Sequence, residues 1–267
     1  MTFAHITHDQ FARDVTAIAL AGLGIFQLLS PSCFESIRMY FRGAWAGLSN
    51  EQSERLKSVI EARTRAEAAG GSARYAAGLF TIAMGLFGLW PAIPYVMPYA
   101  ASCLGMAYAT WMAYRQFRRA TELRFAPLVR RTPLEALPPV AIVSAALCLI
   151  GTAAFASIPQ FRIAAALVVV SMIVLVAIAW RIAVAPAVLF GADPQVEYAV
   201  DKRVRFCRAT GLVALACAPP TVFALLAWAQ LPSPSGLLWL MMLLVIAGFI
   251  ATRVVSLNPL REGIALA

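Results

Sequence analysis

The stretch ALPPVAIVSAALCLIGTAAFASIPQFRIAAALVVVSMIVLVAIAW, Ala136–Trp180, holds one charged residue, Arg162, in 45 positions. A helix needs roughly 20 apolar residues to cross the hydrocarbon core of a bilayer, so this run is long enough for two crossings. Pro159 stands near its middle, where a chain turning back at the far surface would break its helix. The stretch therefore reads as a transmembrane helical hairpin.

Two other stretches repeat the pattern. Residues 75–114 and 209–252, of 40 and 44 positions, contain no Asp, Glu, Lys or Arg. Each again has proline near its centre: Pro91, Pro94 and Pro98 in one, Pro232 and Pro234 in the other. The expected fold is an all-α polytopic membrane protein, a single membrane domain built as a bundle of three transmembrane helical hairpins. An N-terminal segment, residues 13–34, adds a seventh span; six spans result if it lies in the interface instead. Its apolar run Val15–Leu29 is short for a crossing unless extended through Phe34.

Composition agrees. The chain is 61% hydrophobic and 13% charged, where soluble domains carry about a quarter charged residues. The net charge of +9 is segregated, which argues against nucleic acid as its target. Residues 32–74, 115–138 and 181–208 hold seven, six and five Lys or Arg, whereas the hairpin tips around 91–98 and 231–236 hold none; Arg13 and Arg162 are the exceptions to the segregation. By the positive-inside rule the basic segments are cytoplasmic and the tips lie outside, with the N-terminus outside and the tail 253–267 cytoplasmic. Twenty of the 22 basic residues are Arg in an Ala-rich chain, a composition common in high-GC bacteria. The expected compartment is thus a bacterial cytoplasmic membrane, and no cleaved signal peptide is expected at the N-terminus.

The connections read as helical extensions. In segment 35–74, Ile37, Phe41 and Trp45 recur at helical spacing beside Arg38 and Arg42, an interfacial amphipathic pattern. Ser49 and Gln52 offer a capping box for a further helix. Residues 115–135 end in another box, Thr132-Pro-Leu-Glu135, and Asp193-Pro194 places Pro at the first position of an amphipathic helix within 181–208. Small residues recur every four positions: Ala73, Ala77, Thr81, Gly85; Ala101, Gly105, Ala109, Ala113; and Ser144, Cys148, Thr152, Ala156. Such stripes let helices approach closely in lipid. Trp90, Trp228 and Trp239 fall near outer ends, and Trp111 and Trp180 near inner ends, as headgroup anchors would.

Candidate chemistry is sparse. The predicted spans contain no acid, and the five cysteines form no CxxC pair. His5 and His8, beside Asp9, are too few for a metal site, so none is assigned, and no cofactor is identified. Pro219-Pro220 interrupts the middle of a span and withdraws two N–H donors from Leu215 and Ala216. Broken helices at that depth can expose backbone to a solute, which makes Cys217, Pro219, Pro220 and Thr221 a candidate ligand site. The bland alternative is a packing kink. Lys202, Arg203, Arg205 and Arg208 form a juxtamembrane cluster suited to anionic lipid headgroups. Glu197 and Asp201, four apart, could serve as acid and base, although Asp201 and Arg205 are equally spaced to pair.

Three functions follow in order. The first is a non-catalytic membrane subunit or scaffold that binds protein partners, lipid or an apolar ligand. The second is a small-solute permease using the Pro219-Pro220 break. The third is a lipid-modifying enzyme using Glu197 and Asp201 at the cytoplasmic surface.

Overall fold

The computed structural model describes residues 132–185, 194–231 and 235–257, together with scattered positions between Ala17 and Trp111. Four long helices make up the described bundle: α1 (Pro139–Phe155), α2 (Arg162–Ala183), α3 (Pro194–Ala229) and α4 (Gly236–Leu257). With the turn that leads into it, α2 forms an apolar run Pro159–Ala183; that run, Asp201–Trp228 of α3 and Gly236–Val255 of α4 are long and apolar enough to cross a membrane. α1 has 17 residues, at the lower end of the spanning range.

The hairpin expected from Ala136–Trp180 forms where its proline requires. α1 ends at Phe155, and Ile158 is extended (φ −88°, ψ 118°) because the following proline ring disfavours helical backbone there. Pro159–Phe161 makes one 3-10 turn, and α2 begins at Arg162. Arg181 lies in the last turn of α2, where its charge complements the helix dipole.

One helix start differs from expectation. Thr132 caps no backbone N–H with its side chain, and Pro133–Glu135 forms only a single 3-10 turn. The cause lies just downstream. Pro138 and Pro139 supply no N–H, and Pro138 is extended (ψ 150°), so the turn cannot propagate and the α-helix restarts at Pro139.

α3 does begin at Pro194, and its 36 residues continue through the basic segment into the span, roughly 54 Å in all. It is the central helix. Of its apolar window, 89% is buried, against 39% for α2 and 28% for α4. α3 packs closely against α2 and α4 and also touches α1. α1 packs most extensively on α4. The consecutive pair α1 and α2 make the least contact of these neighbours.

The α1–α4 contact uses the small-residue stripe. Ser144, Cys148 and Thr152 are buried, and Ala156 is half-buried. A Cβ on Gly248 would come within 3.0 Å of the Ser144 carbonyl oxygen and 3.1 Å of Cys148 Sγ, so α4 backbone lies directly on α1. Gly151 is as closely met by Val245 and by the Met241 carbonyl. With no hydrophobic drive between helices in lipid, such close approach supplies the attraction through dispersion.

One member of a second stripe, Gly105, is oriented otherwise. In the predicted first hairpin, Ala100 and Cys103 enter the core, with Leu104 and Trp111 packed against it. Gly105 faces out into open space. Gly105 lies about 140° around a helix from Ala100, so these two residues occupy different faces.

Ser49 precedes a helical Asn50, and its carbonyl accepts from the Ser53 N–H at 2.8 Å, as the first predicted capping position requires. The interfacial segment around Arg38, the stripe from Ala73 to Gly85, the tips at Pro91–Pro98 and Pro232–Pro234, and most of the N-terminal span lie outside the described residues.

Candidate functional site

α3 runs without interruption through Pro219 and Pro220. The ring nitrogens still remove two helical donors. Cys217 and Ala218 are fully buried, and Thr221 is nearly so. The Thr221 hydroxyl turns back to donate to the Cys217 carbonyl at 2.8 Å, one residue beyond the two carbonyls that the prolines leave.

Three helices meet at this level. Cys217 of α3 and Cys148 of α1 are both fully buried in the same core cluster, and Cys148 Sγ donates to the Val245 carbonyl of α4 at 3.5 Å. Two residues beyond the Thr221 hydroxyl, Phe223 is gripped edge-on by Phe155 and Phe161, with ring centroids at 5.9 and 6.4 Å. Those partners come from either side of the Pro159 turn, so the tip of one hairpin clamps the C-terminal part of α3. Such aromatic pairs contribute about 0.5–1.5 kcal/mol each beyond their buried area.

Four other bundle hydroxyls behave like Thr221. Thr152 donates to Cys148, Thr210 to Phe206, Thr252 to Phe249 and Ser171 to Val168, at 2.6–2.8 Å. Each is satisfied within its own helix, where in lipid an unmade hydrogen bond costs several kcal/mol.

The basic part of α3 is drawn inward. Asp201 and Arg205 form the pair their spacing predicted, with Nε to Oδ2 at 3.1 Å, and both are buried. Arg205 Nη1 also donates to the carbonyl of Ala183 at 3.2 Å. Ala183 is the last residue of α2, whose final carbonyls have no helical partner and carry the negative end of the dipole. One guanidinium thus ties α3 to the end of α2.

Arg203 is buried with its guanidinium 5.1 Å over the Phe206 ring. Arg208 is buried as well, and its Nε and Nη2 make no hydrogen bond. Lys202 alone of the four cluster residues keeps partial exposure. The carboxylate of Glu197 lies outside the described residues, as do His5, His8 and Asp9. Among the described residues no three His, Cys, Asp or Glu side chains come together.

Tryptophan placement also has a tertiary component. Trp228 is buried, packed at 4.6 Å against Trp239, which is partly exposed. Trp228 therefore fills the hairpin contact, while Trp180 stands exposed as an anchor would.

Sequence spacing signals Asp201–Arg205 directly. No local pattern signals the Arg205–Ala183 tie, the Cys148–Val245 tie or the Phe223 clamp, since each joins residues of separate helices. Comparison with protein-family models, with curated proteins and with solved structures finds no match to this chain.

Proposed function

We propose that this chain is a non-catalytic subunit or scaffold of a membrane, a helical platform that binds protein partners, lipid or an apolar ligand. The observation that supports it is how the described polar groups are used. The hydroxyls of Thr152, Ser171, Thr210, Thr221 and Thr252 bond back onto their own helices, the Cys148 thiol joins α1 to α4, and Arg205 secures α2 to α3. What the helices turn outward is apolar: Leu167, Val170 and Ile173 on α2, and Leu240, Leu243 and Ile250 on α4. A surface of that kind recognises other membrane components by shape and dispersion.

The finer topology belongs to the same proposal. Seven spans place the N-terminus outside and the basic segments in the cytoplasm of a bacterial cell, with Lys202 at the headgroups. The test is co-purification from native membranes in mild detergent. The expected result is one protein partner in stoichiometric amount; recovery of a lone monomer overturns the subunit reading.

A further inference from the structure

Leaving the Pro159 turn, α1 and α2 diverge, because α1 packs mainly on α4 and α2 mainly on α3. The wedge between them is a cavity of about 550 Å³, walled by Ala141, Ala145 and Leu149 of α1 and by Met172 and Val176 of α2. Val213 of α3 forms its floor. This volume lies within the range of ligand pockets, about 300–1,000 Å³.

The wedge has a polar end and an apolar body. Trp180 and Arg181 line it at the end away from the turn, and both are exposed. Arg181 forms no ion pair among the described residues, so its charge faces outward unbalanced. An indole and a guanidinium side by side mark headgroup depth, which places the rest of the wedge in hydrocarbon. From Met172 to Arg181 the wall runs about 13 Å, close to the ~15 Å of one leaflet.

We propose that this wedge is a binding site for an anionic phospholipid, one acyl chain between α1 and α2 and the phosphate on Arg181. The inference specifies the lipid class for the membrane-platform reading above and rests on it for its setting. Charge complementarity selects the occupant: a cation with no ion pair among the described residues ends a trough otherwise walled by carbon. Alanines at 141 and 145 leave room for a chain where larger side chains would close the two helices together.

The test uses the full chain in phosphatidylcholine liposomes doped with phosphatidylglycerol that bears a photoreactive acyl chain. Crosslinks are expected on residues 141–149 and 172–181. Ala177→Phe fills the wedge from an exposed lining position and is expected to lower the yield about fivefold or more. Ala146→Phe, from the opposite wall, gives the same loss and guards against one variant misfolding. Arg181→Gln abolishes the preference for phosphatidylglycerol over a phosphatidylcholine probe, and Arg181→Lys retains it.

Crosslinks spread evenly over the outer faces of α2 and α4, as for ordinary boundary lipid, overturn the proposal. So does an unchanged yield in both phenylalanine variants, or an unchanged preference in Arg181→Gln. A lone monomer that still crosslinks at the wedge defeats the subunit reading only; a stable complex with dispersed crosslinks defeats only this one.

Discussion

Gly248 provides the most direct test of how the bundle is held. Its Cβ position lies 3.0 Å from a backbone oxygen of α1, Ser144, and 3.1 Å from Cys148 Sγ. The oxygen cannot rotate away, so even Gly248→Ala forces α1 and α4 apart by a few tenths of an ångström. Overpacking of this kind costs about 1–3 kcal/mol. Alanine returns up to about 1 kcal/mol in helix propensity, which leaves a net loss of about 0–2 kcal/mol. Gly248→Leu adds three more carbons and gains no further relief, so its loss is expected near the upper end, about 3 kcal/mol.

Cys148 supplies the assay, since it is fully buried at this contact. With the other four cysteines replaced, the rate of maleimide labelling in detergent measures how often the contact opens. At 1.4 kcal/mol per tenfold, a 3 kcal/mol loss raises the opened population roughly 100-fold. Gly211→Ala and Gly236→Ala serve as controls, because nothing lies within 4 Å of either Cβ position. They are expected to leave labelling unchanged or slightly slowed. If Gly248→Leu labels at the parent rate, or the controls accelerate equally, close α1–α4 packing is not what holds Cys148 closed.

Two further outcomes follow from the polar ties. Arg205→Met removes the buried guanidinium that pairs with Asp201 and should destabilise the protein by about 3–5 kcal/mol, whereas Asp201→Leu combined with Arg205→Met should recover much of that loss, both read as Tm in detergent. Pro219→Ala restores an N–H toward the Leu215 carbonyl in a helix already continuous, so it should raise stability by about 1–3 kcal/mol. On the platform reading it leaves small-solute flux in liposomes unaltered; a changed flux would favour the permease reading of the break.

The legible parts of this chain are those written locally. The hairpin turn at Pro159, the helix start at Pro194 and the Asp201–Arg205 pair each depend on residues within a few positions of one another, and each is present. The Thr132 capping box misled because two prolines downstream decide the same backbone. Stripes of small residues were readable as contact faces only in part: Ser144, Cys148 and Thr152 are buried, while Gly105 faces away from the core.

By itself, the sequence determined the helical, apolar character of this chain, the turn at Pro159 and the helix start at Pro194, because charge and proline act on the chain wherever they stand. It left open which helix meets which. In a soluble protein water would sort apolar faces from polar ones, and periodicity would point to the core. Helices such as α2 and α4 are apolar all round, so a lipid-facing and a protein-facing side read alike. Tertiary structure chose between them by fit: backbone against backbone at Gly248, Phe223 between two rings, Arg205 on the end of α2. The wedge beside Arg181 is a consequence of those choices, the space left where α1 and α2 each found a better partner than the other.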